Sequence, residues 1–83
     1  MIISVEISLY PLRAEYVNYI QDFIDRLHSY PNLHIRVDET STFISGESEI
    51  IWEALQKETT KTWEDAGQSV FVMKWLLGDL KES

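Results

Sequence analysis

Four strands and two helices in the order β-α-β-β-α-β, an α+β fold, are predicted by three observations. Ile3 to Tyr10 alternates apolar and polar residues without a break. Two later stretches repeat apolar residues at helical spacing, and the run from Ser69 to Leu77 is apolar on both faces. Strand side chains point alternately to opposite faces, whereas helical neighbours recur every three to four residues. The pattern therefore separates the two kinds of element.

In the first strand, Ile3, Val5, Ile7 and Leu9 share one face, and Ser4, Glu6, Ser8 and Tyr10 share the other. Pro11 ends it by removing a ladder donor. Tyr16, Ile20, Phe23, Ile24 and Leu27 then mark an amphipathic helix over residues 14–29, which Tyr30-Pro31-Asn32 stops. Leu33, Ile35 and Val37 alternate with His34, Arg36 and Asp38 in a second strand. A turn at Glu39-Thr40 leads into Ser41-Thr42-Phe43-Ile44-Ser45, ended by Gly46, so a hairpin is predicted. The second helix is predicted over residues 48–66, with Ser48 as N-cap, Glu49 at its positive end and Gly67 closing it. Ile51, Leu55, Thr59, Thr62 and Ala66 form its stripe, flanked by Trp52 and Trp63.

Right-handed crossovers turn this order into the ferredoxin-like arrangement, a four-stranded antiparallel sheet with both helices on one face. The first and third strands are then central, and the polar row of the first lies in the middle of the open face. Two helices cover only one side of a sheet. A last strand that is apolar on both sides therefore predicts a second subunit over the other.

The 83 residues make one domain, 1–83, whose own core is modest because small domains bury a smaller share of their surface. Cysteine is absent, which excludes disulfides and thiolate metal sites. Fourteen acidic against seven basic residues give a net charge of -7. Phosphate backbones require clustered Lys and Arg, so nucleic acid is not an expected partner. No stretch approaches the ~20 apolar residues of a membrane span. Met1 leads straight into a strand with no signal-like segment, so a cytoplasmic location is expected.

Enzyme chemistry finds little purchase. There is no glycine-rich phosphate loop, and His28 and His34 stand apart, one at a helix end and one on a strand. Asp38-Glu39 and Glu64-Asp65 are adjacent pairs whose side chains diverge, unsuited to general acid/base work. No cofactor or metal is expected. An RNA-recognition role would need aromatic central strands and basic charge. Phe43 alone meets the first demand.

Ser8-Leu9-Tyr10-Pro11-Leu12, Thr40-Ser41-Thr42, Gly46-Glu47 and Ile51-Trp52-Glu53-Ala54-Leu55 together resemble the thiamine/hydroxymethylpyrimidine-binding YkoF-like family and its single-domain relatives. The resemblance implies a ferredoxin-like domain that associates through its sheet into dimers or dimers of dimers. It also implies binding of thiamine or its pyrimidine precursor without chemistry on either. YkoF-type proteins carry two such domains in tandem, so a homodimer replaces the tandem here. The family often has glycine after the Pro-Leu pair. Arg13 stands there in this chain, a residue able to narrow a pocket at that end.

Thiamine is a cation bearing an aminopyrimidine, and the expected ligand-binding set matches it. Glu6 accepts from an amino group, Ser8, Thr40 and Thr42 bond to ring edges, and Tyr10 or Trp75 stacks. The expected place is the open face, where the end of the first strand meets the start of the third near Pro11. The alternative is a structural or regulatory oligomer whose polar row serves as interface hydrogen bonds. A third class, the cofactor-free monooxygenases of the dimeric α+β barrel type, requires polar groups between helices and sheet. The helix-facing positions Ile3, Val5, Ile7, Leu33, Ile35 and Val37 are hydrocarbons, which argues against it.

Overall fold

The computed structural model describes residues 1–79. The elements are β1 (Ile2–Pro11), α1 (Tyr16–His28), β2 (His34–Val37), β3 (Thr42–Glu47), α2 (Ser48–Ala66) and β4 (Ser69–Leu77). The strands form one antiparallel sheet in the order β2-β3-β1-β4. This is the ferredoxin-like α+β fold, with β1 and β3 central as the crossovers require.

Register follows the alternation of β1. Val5 lies opposite Ile44 on one side and Trp75 on the other, and Ile7 lies opposite Thr42 and Met73. Residues directly opposite share a face, so these side chains all point toward the helices. Val5, Ile7 and Ile44 meet Phe23 and Leu27 of α1 and Ile51, Ala54 and Leu55 of α2 in a single buried cluster. Phe23 also touches Phe71 of β4 at 5.2 Å between ring centroids. Glu6 lies opposite Phe43 and Lys74 on the other face, and Ser4 opposite Ser45 and Leu76. The serine hydroxyls bond to each other at 2.8 Å, and Ser4 also donates to the carbonyl of Gly78 at 2.6 Å.

Two helix starts differ from the sequence reading. The segment after Pro11 turns before it coils, so α1 begins at Tyr16, and the amide of Asn18 donates to the Glu15 carbonyl. Ser48 is the first residue of α2 rather than its cap. The cap position belongs to Glu47, whose side chain is drawn to the N-terminal amine at 3.1 Å, while the Ser48 amide continues the ladder to the Met1 carbonyl. Gly67 closes α2 as expected, with φ 75° and its amide on the Trp63 carbonyl. Gly46 answers a packing demand. A Cβ there would stand 3.0 Å from Leu33 Cδ2 and 3.1 Å from the Asn32 carbonyl oxygen.

The stripe of α2 carries one surprise. Glu58 is buried, and its carboxylate is shared between two groups of the α1 end of the structure. Arg26 Nε donates to Oε1 at 2.7 Å, and Tyr30 donates its hydroxyl to Oε2 at 2.7 Å. Arg26 also donates to the Glu58 carbonyl and to Thr62 Oγ1. The two helices are thus bolted by a charged network in which, among the described residues, no buried side-chain polar atom lacks a partner. Removing one partner of such a pair leaves the other charge unmatched, which is more costly than the pair is favourable. Glu58→Ala should therefore destabilise the fold by about 3 kcal/mol, measured by urea unfolding. Burial and the adjacent Glu58 carboxylate raise the Tyr30 phenol to about 12 from its ordinary 10.0. A raised value means that the stabilisation is whole below pH 10 and is lost as pH climbs toward 12. Tyr30→Phe should flatten that alkaline loss relative to the parent chain.

Candidate functional site

The six side chains singled out in the sequence divide among three places. Glu6, Ser8 and Tyr10 lie on the open face, Thr40 and Thr42 at a pocket on the helix side, and Trp75 in a groove at the sheet edge. A single site uniting them does not form. The reason is register: Thr42 pairs with Ile7, not with an open-face residue, so its side chain points toward the helices. Trp75 pairs with Val5 and faces the same way. The run Ser41-Thr42-Phe43-Ile44 puts a hydroxyl on each face, and its composition does not say which belongs where.

On the open face, Glu6 sits between strands with 30% of its side chain exposed. Its carboxylate accepts from Ser41 Oγ at 3.1 Å and stands 3.8 Å from Lys74 Nζ. Across β3, the Arg36 guanidinium lies over the Phe43 ring at 4.3 Å. Tyr10, Val70 and Val72 are exposed around this polar centre.

The pocket arises from unequal strand lengths. β1 pairs with β4 through Pro11, but with β3 only as far as Ile7. Beyond Ile7 the β3 side of β1 is bare, and the turn over residues 38–41 closes the gap from the side. The Asp38 amide donates to the Ser41 carbonyl, and Ser8 Oγ reaches the Thr40 carbonyl at 3.3 Å. The result is a cavity of about 80 Å³ between this turn and α1. Ile7, Leu9, Ile20, Phe23 and Ile24 form its walls, and Asp38, Glu39, Thr40, Ser41 and Thr42 its polar side. Thr42 is buried, yet its hydroxyl has no hydrogen-bond partner among the described residues and is not sealed from the cavity. A polar group that opens onto a cavity without a protein partner is available to whatever occupies that cavity.

Arg13 does not enter this pocket. It donates to the Ala66 carbonyl at 3.2 Å and lies over Tyr19 at 5.6 Å, fastening the β1–α1 turn to the end of α2. The aromatic wall is Phe23, not Tyr10 or Trp75. The helical periodicity marked Phe23 as core, and nothing local distinguishes a core phenylalanine from one that also walls a cavity. In sequence Asp38 closes the alternation of the second strand and Glu39 begins the turn, but their place at the pocket mouth follows only from the fold. Among the described residues, no group of three or more His, Asp or Glu side chains is arranged to hold a metal ion. No described helix is long and apolar enough to cross a membrane.

A family model described as the YKOF-related family matches residues 2–75. The chain belongs to that family. Solved structures agree with the fold of this YKOF-related protein. One, from Thermotoga maritima, is a protein provisionally assigned to thiamine biosynthesis or salvage. It is 17% identical, with 99% of this chain and 94% of that one aligned at a TM-score of 0.88. A Streptococcus pneumoniae protein is 18% identical over 96% of this chain and 90% of that one, at 0.87. A hypothetical protein of Methanocaldococcus jannascii is 21% identical over 96% and 84%, at 0.80. No curated protein matches the chain significantly.

Thr42→Val removes a hydroxyl that bonds to nothing within the described protein. Stability should stay within about 0.5 kcal/mol of the parent or rise, because no internal hydrogen bond is lost. Thermal unfolding of the two chains side by side measures this.

Proposed function

We propose that this protein binds a thiamine-type cation through its aminopyrimidine ring in the pocket at Thr42, and that it does so as a homo-oligomer without transforming the ligand. The observation that carries the reading is the hydroxyl of Thr42, without an internal partner and open to a cavity with hydrocarbon walls and an acidic mouth. Membership of the YKOF-related family supports it, as does the thiamine assignment of the Thermotoga relative. A flat ring edge meets the Thr42 hydroxyl and the groups of the 38–41 turn, and Phe23 offers it an aromatic wall. The positively charged remainder of the ligand stays near Asp38 and Glu39 at the mouth. The cavity holds only about 80 Å³, so a single small ring enters and the rest of the ligand remains outside.

Glu6 takes a different part in this reading. It already has Ser41 and Lys74 as partners and opens onto the other face. Together with exposed Val70, Val72 and Leu76 it belongs to the surface that a second copy covers. The same surface favours the alternative, an oligomeric structural or regulatory module without a ligand, because its polar centre is satisfied by protein groups. Met73 and Trp75 point to the helix side, so the residues that probe this interface are Val72 and Leu76.

Titration calorimetry with thiamine and with hydroxymethylpyrimidine separates the two readings. Both ligands should bind the parent chain, and Thr42→Val should weaken both by about tenfold, the value of one hydrogen bond at ~1.4 kcal/mol. Glu6→Gln should leave the affinity unchanged. Absence of heat with either ligand, under conditions where the chain is folded, leaves the structural module. Val72→Asp should convert the oligomer to a monomer in light scattering, since a charge would be buried against a copy of itself.

A further inference from the structure

A second, larger concavity lies on the helix side between α2 and β4, apart from the Thr42 pocket and sharing no residue with it. Its volume is about 450 Å³, within the range of small-molecule sites. Trp52, Trp63 and Gln56 come from α2, and Phe71, Met73 and Trp75 from β4. The helical residues fall on one stripe, four and seven residues apart, and the strand residues alternate, so both sets converge on the same cleft.

The rings are held in place without being buried. Trp52 stacks on Trp75 at 4.3 Å between centroids and 27° between planes. Trp63 stands edge-on to Phe71 at 5.6 Å and 77°, and its Nε1 donates to the Ser69 carbonyl at 2.9 Å. Even so, Trp52, Trp63 and Trp75 are 62%, 49% and 37% exposed. Indoles that are ordered but accessible have already met the entropic cost of positioning, which is the condition of a pre-formed site.

The groove's own lining carries no charged side chain, acidic or basic, so its indoles and the acidity of the chain as a whole select the class of ligand. Lys57 and Lys61 lie on the far side of α2, where they border a different depression with Arg26 and Glu58. Glu49 precedes Trp52 by one turn, and the chain as a whole carries -7. The side-chain amide of Gln56 has no partner among the described residues. Electron-rich indole faces in an acidic field attract cations, and most strongly flat ones that also stack. The second copy proposed above covers the opposite face of the sheet and leaves this groove open.

We infer that the Trp52–Trp63–Trp75 groove is a second ligand site, for a flat heteroaromatic cation. The inference does not rest on the Thr42 pocket being occupied, and its test is independent of thiamine. The probes are N-methylquinolinium and, as the neutral comparison, 4-methylquinoline at pH 8. They are titrated into the full chain while the three indole N–H resonances are followed by NMR. The cation should give saturable shifts at Trp52 and Trp75, with affinity about tenfold above the neutral ring, as a partly desolvated cation–π contact provides. Trp75→Leu should abolish saturation, and Thr42→Val should leave it intact. Trp52→Leu, at the most exposed of the three indoles, should weaken binding in a chain whose fold is unaffected, which keeps the test open if Trp75→Leu does not fold. Equal affinity for the neutral ring, shifts that never saturate, or unchanged binding in Trp52→Leu would each overturn the inference.

Discussion

The inequality between the two partners of β1 shapes everything around it. A central strand normally has neighbours along its whole length, but here β3 accompanies β1 only to Ile7 while β4 continues to Pro11. Backbone and side chains beyond Ile7 must be covered by something other than a strand. The 38–41 turn and the middle of α1 do this, and they do it incompletely, because a turn follows the hairpin's own geometry and a helix touches a sheet along one line. The cavity at Thr42 is what remains. It is polar on the turn side and hydrocarbon on the helix side for the same reason.

This arrangement depends on α1 staying where it is. Ile20, Phe23 and Ile24 form pocket walls, and the same helix is tied to α2 at its other end through Arg26 and Glu58. A buried ion pair adds little net stability over hydrocarbon packing, but it admits few alternative alignments of the two helices. At the N-terminal end, Arg13 fastens the preceding turn to the last carbonyl of α2. Both attachments reach α2 rather than the sheet, so α2 is the frame against which α1 is positioned over the cavity. That α2 also presents Trp52 and Trp63 to β4 places the two concavities on either side of one helix system.

The six elements were legible because their signals are local. Alternation from Ile3 to Tyr10 and the spacing from Tyr16 to Leu27 depend only on how a backbone presents successive side chains. The C-terminal end of α2 and the doubly apolar β4 were legible for the same reason, and Gly67 closes its helix through a conformation that glycine adopts readily. The start of α2 was read less well. Ser48 has the composition of a cap, but the Met1 carbonyl, distant in sequence, takes its amide and shifts the cap to Glu47. Glu58 shows the same limit. In sequence it is one carboxylate on a mixed helix face, and only Arg26 and Tyr30 across the gap make it internal.

The residues of the candidate site mark where local reading ends. Alternation decides which side chains of one strand share a face, and it placed Glu6, Ser8 and Tyr10 together correctly. It does not decide how one strand is registered against the next. A shift of one residue exchanges the faces, and that choice is made by the core, where Ile7 and Ile44 must both meet the helices. The choice sent Thr42 inward with them, and the pairing of Val5 with Trp75 sent the indole to the helix side. The identity and order of the elements are therefore properties of the chain's local chemistry. Which hydroxyls meet, which aromatic ring walls the pocket and which carboxylate faces a neighbour are properties of packing, because each depends on contacts between residues that sequence spacing does not relate.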